Sequence, residues 1–429
     1  MGHWTTIMSM ENKQIGWKQT LTDQVIWVLR SLILGAVIGP LCYLLSSAVG
    51  WTQSFRSSHS WIIFFLPAGA LFIMWLYNAV NPMLRESSGT TMDIINWNIR
   101  KRTNPTENPD APQRSISPWL APVIFLSTFI SQLCGASTGK EGAGVQIGTS
   151  ISSLFSRIEQ KVFHFSRSGD MGIWLCIGSG SAFGALFRAP VAGTLFGIMV
   201  ASPSIARFDA MLPCLTGSIT AVFLSSMLGI GTPSIAGIEV LPWNIGYAVA
   251  ALALGIIAGL LARLFFVCGR WARKAASHLM PNPYVRASVC GAILLACFAG
   301  EFLIAGDLEY CGLSVSLLND SRPWSFAIKL VLTAITMAAG FTGGEVVPTM
   351  VIGAAAFRTL GLIIPIPLPV LAVFGAIGML SGTTNLPLVC FALGLEVFGF
   401  QNAEYLFIIC VMSFIVSGRD SIYPNQIKN

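Results

Sequence analysis

Charge is scarce in this chain of 429 residues: Asp, Glu, Lys and Arg make up 10% of it, against 54% hydrophobic residues. Soluble domains carry about 25% charged residues. A soluble chain of this length would lack the charge to cover its surface, so lipid is the expected solvent for much of it. Paired histidines and HExxH are missing, which leaves enzyme chemistry without a nucleophile–base pair or a ligand set. No enzymatic activity, metal or cofactor is expected. The four histidines (His3, His59, His164 and His278) stand alone and read as loop or surface residues. The ten cysteines contain no CxxC pair, so zinc and redox motifs are lacking. Most sit in apolar stretches, as Cys176, Cys297 and Cys410 do, and read as small hydrophobes. No basic run is interleaved with aromatics, so the net charge of +6 does not indicate a nucleic-acid partner. The N-terminus lacks the short apolar core and small-residue cleavage site of a signal peptide. Residues 1–24, with Lys13 and Lys18, are expected to form an amphipathic cytoplasmic segment.

What the chain has in abundance is apolar sequence, at a mean hydropathy of +0.70, and glycine, at 42 residues. Glycine is common where membrane helices pack closely. Stretches near 25–50, 61–80, 117–136, 208–229, 244–267, 287–305, 325–340 and 403–417 approach the length of about 20 apolar residues that a spanning helix needs. Shorter apolar pieces lie at 143–156, 171–186, 190–202, 346–361, 369–381 and 386–400, punctuated by Gly, Pro and Ser. Short, interrupted spans are tolerated where they are buried or line a polar cavity, and their recurrence in both halves points to a transporter binding site.

Basic residues cluster at 100–114, 157–167 and 270–286, whereas 230–242 has none and 306–323 has only Arg322. The positive-inside rule places the clustered loops, and with them both termini, in the cytoplasm. The halves are weakly alike: GKEGAGVQIG at 139–148 precedes SAFGALFRAPVAGTLFGIMV at 181–200, and GGEVVPTMVIG at 343–353 precedes GMLSGTTNLPLVCFALGLEV at 378–397. That order predicts one membrane domain over 25–425, built from inverted repeats at about 25–230 and 240–425, with no soluble domain after the last span. The fold class is all-α and polytopic.

Gly139-Lys140-Glu141-Gly142 opens an apolar helix. A helix start presents unpaired N–H groups and the positive end of the dipole, so it binds anions, and glycine permits close approach. A carboxylate there can occupy the anion's own place and leave it on protonation. Two readings of Glu141 stand: a functional intramembrane acid, or a glutamate that only stabilises its helix terminus. Gly343-Gly344-Glu345-Val346-Val347-Pro348 opens a second short helix, whose amides can meet the same anion from the opposite direction. For Glu345, helix-cap electrostatics is again the other reading. Gly89-Thr90-Thr91-Met92-Asp93 looks like a third helix start; Thr90 and Thr91 are either hydroxyl ligands or N-caps. Tyr423 by itself reads as an interfacial anchor, and Glu396 is left without a role.

These motifs resemble the CLC family of anion channels and transporters. GKEGAGVQIG resembles its GREGPxVQxG signature, with Lys140 for Arg and Ala143 for Pro. GGEVVPTM resembles GGxFxP, FRAPVAGTLF at 187–196 resembles the helix after the gate, and the terminal SIY resembles the segment bearing the central tyrosine. The likeness runs from about residue 25 to 425. It implies a CLC-type inverted-repeat bundle whose short broken helices meet in mid-membrane, and a homodimer with one anion pathway in each subunit, its surface built largely from second-half short helices. It implies that Glu141 is the gating, proton-exchanging glutamate. It also implies that Val346, Val347 and Tyr423 surround the central anion, with Gly139, Gly142, Thr90, Thr91 and Met92 as the further candidate anion-binding residues.

The departures narrow the branch. GTTMD replaces the usual GSGIP serine motif, Glu345-Val346 replaces the usual residues after GG, and Val200 stands where proton exchangers keep an internal glutamate. Together they look like the fluoride-exporting branch, in which Glu345 takes part in proton or fluoride handling. Fluoride holds water tightly, so its site must supply strong donors, such as two helix starts and the Thr90, Thr91 and Tyr423 hydroxyls. The expected function is fluoride/proton antiport at the inner (plasma) membrane. A transporter for chloride or another small anion is the alternative, as is a passive channel, which Val200 favours and Glu345 opposes.

Overall fold

The computed structural model describes residues 17–103, 116–163 and 171–427. His3, His164, Arg114, Arg167 and residues 1–16 of the N-terminal segment lie outside the described residues. In the described part, α-helices α1 (Trp17–Ser58), α2 (Leu66–Val80), α3 (Ser87–Thr103), α4 (Leu120–Cys134) and α5 (Glu141–Phe163) are followed by α6 (Met171–Phe187), α7 (Pro190–Met199) and α8 (Met211–Met227). The second half holds α9 (Ile245–Leu279), α10 (Pro283–Ala305), α11 (Ser325–Ala339), α12 (Val346–Leu360), α13 (Leu368–Thr384), α14 (Pro387–Phe398) and α15 (Ala403–Ser417).

Among the described residues, five stretches are long and apolar enough to cross a membrane: Thr22–Ser58, Ser60–Val80, Phe208–Met227, Ile245–Leu279 and Pro283–Ala305. The remaining apolar helices have 10–17 residues. Fifteen residues of helix span only about 22 Å, short of a hydrocarbon core of about 30 Å. Their ends therefore fall within the protein, where neighbouring backbone must satisfy the orphan polar groups. Gly172 to Phe187 of α6 and Val370 to Thr384 of α13 are buried on every face, which is why their sequences are apolar all round rather than striped.

The packing of the first half recurs in the second. Helix α1 lies on α8 as α9 lies on α15, α5 on α6 as α12 on α13, and α6 on α8 as α13 on α15. Glycine pairs set two of these contacts: a Cβ on Gly178 would stand 2.5 Å from the Gly148 carbonyl, and Gly353 and Gly375 are closer still. α4 and α11 both end on a left-handed glycine, Gly135 and Gly340. α7 and α14 both begin at a proline, Pro190 and Pro387, where the missing N–H costs nothing.

Several sequence expectations shift. The basic stretches taken as loops begin inside helices: α9 continues through Arg270, Arg273 and Lys274, and α5 through Arg157 and Lys161. Arg, Lys and Ala are good helix formers whether or not lipid surrounds them, so hydropathy alone ends these helices too early. The 61–80 span is a 3-10 turn, Ser60–Phe65, followed by α2. The piece expected at 143–156 is the longer helix α5, which starts at Glu141. Glu396 acquires a role. Its carboxylate on α14 accepts the Val191 and Ala192 N–H groups at 2.9 and 2.8 Å. It thereby caps the N-terminus of α7, the end that a helix dipole makes positive.

Candidate functional site

The starts of α5 and α12 meet directly. Gly139 and Gly344 form an antiparallel bridge, with the Gly139 N–H donating to the Gly344 carbonyl at 2.5 Å and the Gly344 N–H to the Gly139 carbonyl at 2.6 Å. Glycine is required here by close approach. A Cβ on Gly344 would lie 2.5 Å from the Gly142 nitrogen, and Gly343 takes φ 155° beside Thr138. Gly139 therefore does not offer its N–H to an anion, and the expectation that it is a direct ligand is corrected: its donor is engaged across the junction.

Glu141 is the first residue of α5 and only 2% exposed. Its carboxylate folds back over Gly139, where the backbone N–H groups of Lys140 and Glu141 face it; Oε2 is buried without a hydrogen-bond partner. The Lys140 ammonium donates to the Ser46 hydroxyl. Glu141 thus occupies the anion-attracting end of its own helix while one oxygen remains unsatisfied, an arrangement that neutral or charged occupancy can change. Glu345 holds the N-cap position of α12 but makes no side-chain cap hydrogen bond. It lines the cavity described next, and Arg273 of α9 is the cation in electrostatic reach of it.

A cavity of about 1080 Å³ ends at this junction. One wall is the start of α3 with Thr90, Thr91, Met92 and Asp93; another is α5 with Gly142, Val145 and Gln146. Gly343 to Val346 closes one end, the C-terminal Ile422 to Asn425 forms a further wall, and Arg85 and Arg100 also face the space. Of the residues singled out from sequence, Gly142, Thr90, Thr91, Met92, Glu345, Val346 and Tyr423 share this cavity. Gly139, Glu141 and Val347 do not line it. Val347 is buried, so its side chain is packing.

The threonines are neither N-caps nor free donors. α3 starts at Ser87, upstream of both. The Thr90 hydroxyl donates to the Glu86 carbonyl at 3.2 Å and the Thr91 hydroxyl to the Ser87 carbonyl at 2.9 Å. A hydroxyl has one proton, so in this conformation neither can also donate to an anion. What remains free is backbone. The first intrahelical bonds recorded at the two starts are Gly144 N–H to Lys140 and Thr349 N–H to Glu345. The N–H groups of Gly142, Ala143, Val346 and Val347 therefore lack intrahelical acceptors.

Tyr423 is buried, with its ring edge-on to Phe196 at 5.5 Å, and Glu141 and Glu345 are among its electrostatic neighbours. The interfacial-anchor reading is corrected: burial between helices, rather than a headgroup layer, surrounds it. Val200 is fully buried at the end of α7, and its carbonyl accepts the Gln426 amide at 2.9 Å. The tail continues this contact, with the Ile427 N–H donating to the Ala201 carbonyl at 3.0 Å.

Sequence reasoning missed Gln146, which accepts from Ser87 at 3.0 Å and donates to Ser88 at 2.8 Å, tying α3 to α5. The signal was available: Gln146 is one turn on from Gly142 and shares its helix face. It also missed Asn425, whose amide donates to Asp93 at 3.0 Å and draws the tail over the cavity. No local pattern announces that contact, because the partners are far apart in the chain.

The family model described as voltage gated chloride channel matches residues 69–418. The chain is 26% identical over 411 residues to the chloride/fluoride channel protein of Pseudomonas syringae pv. tomato, covering 93% of this chain and 86% of that protein. It is 24% identical over 323 residues to the voltage-gated ClC-type chloride channel ClcB of Escherichia coli, covering 70% of this chain and 74% of that one. Among solved structures it superposes on a CLC-type fluoride/proton antiporter with a TM-score of 0.83 and 26% identity, over 94% of this chain and 98% of the other. A slow cyanobacterial Cl-/H+ antiporter shares the fold, with a TM-score of 0.73 at 19% identity, over 91% of this chain and 94% of that one. Helical architecture, paired Gly-rich helix starts and the extent of these matches agree: the chain belongs to the voltage gated chloride channel family, the CLC channels and transporters.

Proposed function

We propose that the protein is a fluoride/proton antiporter that exports fluoride from the cytoplasm. The observation that carries this reading is the junction of two helix starts, each bearing a carboxylate, Glu141 and Glu345, at the end of one cavity. Anion and proton can compete there for one small volume. Ionised Glu141 fills the positive end of α5, and protonated Glu141 releases that end to an anion held by the N–H groups of Gly142, Ala143, Val346 and Val347. Backbone N–H groups and a protonated carboxyl are strong donors to a small, hard anion. The names of the similar chloride/fluoride channel protein and fluoride/proton antiporter support the choice of anion, as do GTTMD and Glu345 in place of the commoner motifs.

The proposal extends to inverted repeats at about 25–230 and 240–425, supported by the recurrent helix packing. It also includes a homodimer in the inner (plasma) membrane with both termini cytoplasmic. Arg85 and Arg100 at the cavity fit a cytoplasmic opening under the positive-inside rule. A passive anion channel of the same fold is the second reading, favoured by the apolar, tail-sealed Val200.

Anion efflux from proteoliposomes, read with fluoride and chloride electrodes, tests the selectivity. Fluoride is expected to leave at least tenfold faster than chloride. Chloride moving as fast as fluoride would leave a general small-anion transporter, with GTTMD and Glu345 as sequence drift.

A further inference from the structure

Away from the Glu141–Glu345 junction, the described residues hold two more buried cations that form no ion pair with a carboxylate among those residues. Lys329 of α11 is fully buried, and its ammonium donates to the Tyr310 carbonyl at 3.0 Å, the Ser314 hydroxyl at 2.8 Å and the Gly312 carbonyl at 2.5 Å. Arg56, 7% exposed near the end of α1, donates to the Gln132 carbonyl and, at 3.5 Å, to the Cys311 carbonyl. Glu301 is the carboxylate in electrostatic reach of Lys329, yet it accepts from the Tyr310 N–H at 2.8 Å instead. Burying a charge is costly unless it is fully hydrogen-bonded, and ionisable groups at membrane depth are functional candidates.

The place of these cations gives them a task. Arg56 precedes α2, and Arg85, on the cavity wall, follows it. The two lie at opposite ends of that helix, about 22 Å long. Arg56 and Lys329 thus belong to the side of the junction away from the cavity. What they hold is the loop leading to Glu141. The Gln132 amide donates to the Thr138 carbonyl, and the Gly312 N–H donates to the Gly135 carbonyl at 2.9 Å. The Ser137 hydroxyl meets that of Thr333 at 2.8 Å, and Thr333 donates to the Lys329 carbonyl at 2.7 Å. The 310–314 segment has little regular backbone to fix it: Gly312 and Ser314 take φ 72° and 54°. A serine holds such a conformation only where its surroundings enforce it, and Lys329 supplies three of the enforcing contacts.

We propose that Lys329 and Arg56 are positioning residues for transport, a two-cation clamp that fixes the 135–140 loop against the 310–314 segment and so closes this end of the pathway while Glu141 is docked. The proposal rests on the antiport reading for its coupling arm. Without the Lys329 donors, two carbonyls and a hydroxyl lose their partner, the loop loosens, and anions pass without their protons.

The test compares Lys329→Met, which keeps an apolar side chain of similar reach, with the wild type in two measurements. Hydrogen–deuterium exchange is expected to quicken in 135–140 and 306–318 and to stay unchanged elsewhere. In proteoliposomes, the protons moved per fluoride are expected to fall several-fold while fluoride efflux continues or rises. Arg56→Gln is expected to act in the same direction, and Arg56→Lys, which keeps a cation, to restore most of the coupling. If Lys329→Met gives no monodisperse protein, the Arg56 pair decides alone. Wild-type coupling in Arg56→Gln and in any folded Lys329→Met would overturn the clamp, even with quickened exchange, since the cations would then serve stability alone. A wild type that moves no protons would sink the antiport reading instead. In that case, quickened exchange with a raised anion leak would still support the clamp, and unchanged exchange would overturn it.

Discussion

Replacing Glu141 by glutamine is expected to reduce proton flux to the background of empty liposomes. The carboxyl is 2% exposed, lies over the Gly139–Gly344 junction and is placed where an anion would be drawn by the start of α5. Glutamine keeps the shape and accepts the same backbone N–H groups, but it neither releases nor takes up a proton. Fluoride efflux is expected to persist without its proton, because the donors around the site are backbone and survive the change. A pH-sensitive dye trapped in the vesicles reads the proton arm and a fluoride electrode the anion arm. Glu396→Gln is the control: that carboxylate also contacts a helix start, but the contact is the N-terminus of α7 and lies off the cavity. Wild-type proton flux in Glu141→Gln would remove this residue from the mechanism.

Gly344→Ala is expected to have the largest structural effect at the site. A methyl group there would lie 2.5 Å from the Gly142 nitrogen and 3.2 Å from the Glu141 nitrogen, all backbone that cannot rotate aside. Overpacking of this kind costs about 1–3 kcal/mol, and each of the two bridge hydrogen bonds adds about 0.5–1.5 kcal/mol if it breaks. The two helix starts would move apart, so fluoride and proton fluxes are both expected to fall at least tenfold, with a lowered unfolding temperature. Gly300→Ala is the matched comparison, since a Cβ there meets nothing within 4 Å. In mid-helix it is expected to be neutral or to stabilise by up to about 1 kcal/mol. A Gly344→Ala protein with wild-type flux would show that the bridge does not shape the site.

Much of this architecture was legible in the sequence because membrane helices announce themselves by apolar length and helix starts by glycine and proline. Glu141 begins a helix as expected, Pro190 and Pro387 open short ones, and the 139–142 and 343–346 segments do converge. The rest was not legible because it depends on which backbone groups find each other. Spacing shows that Gly139 is permissive, and only the fold shows its N–H engaged by Gly344. Spacing gives Thr90 and Thr91 hydroxyls, and only the helix start at Ser87 turns those protons onto carbonyls. Tyr423 looked like an anchor because its burial comes from Phe196, far away in the chain. Lys329 was open to discovery: a lone lysine in the apolar stretch 325–340 is a candidate on cost alone. Its partners, in an irregular segment, were not.

The most direct test of the account is whether fluoride can drive protons uphill. Proteoliposomes are loaded with fluoride and placed in fluoride-free buffer of the same pH, with the membrane potential clamped at zero by a potassium ionophore. An antiporter working through Glu141 and Glu345 is predicted to acidify the vesicle interior against the growing pH gradient as fluoride leaves. Fluoride loss with no pH change, beyond the drift of protein-free vesicles, would contradict proton coupling and leave a passive anion channel.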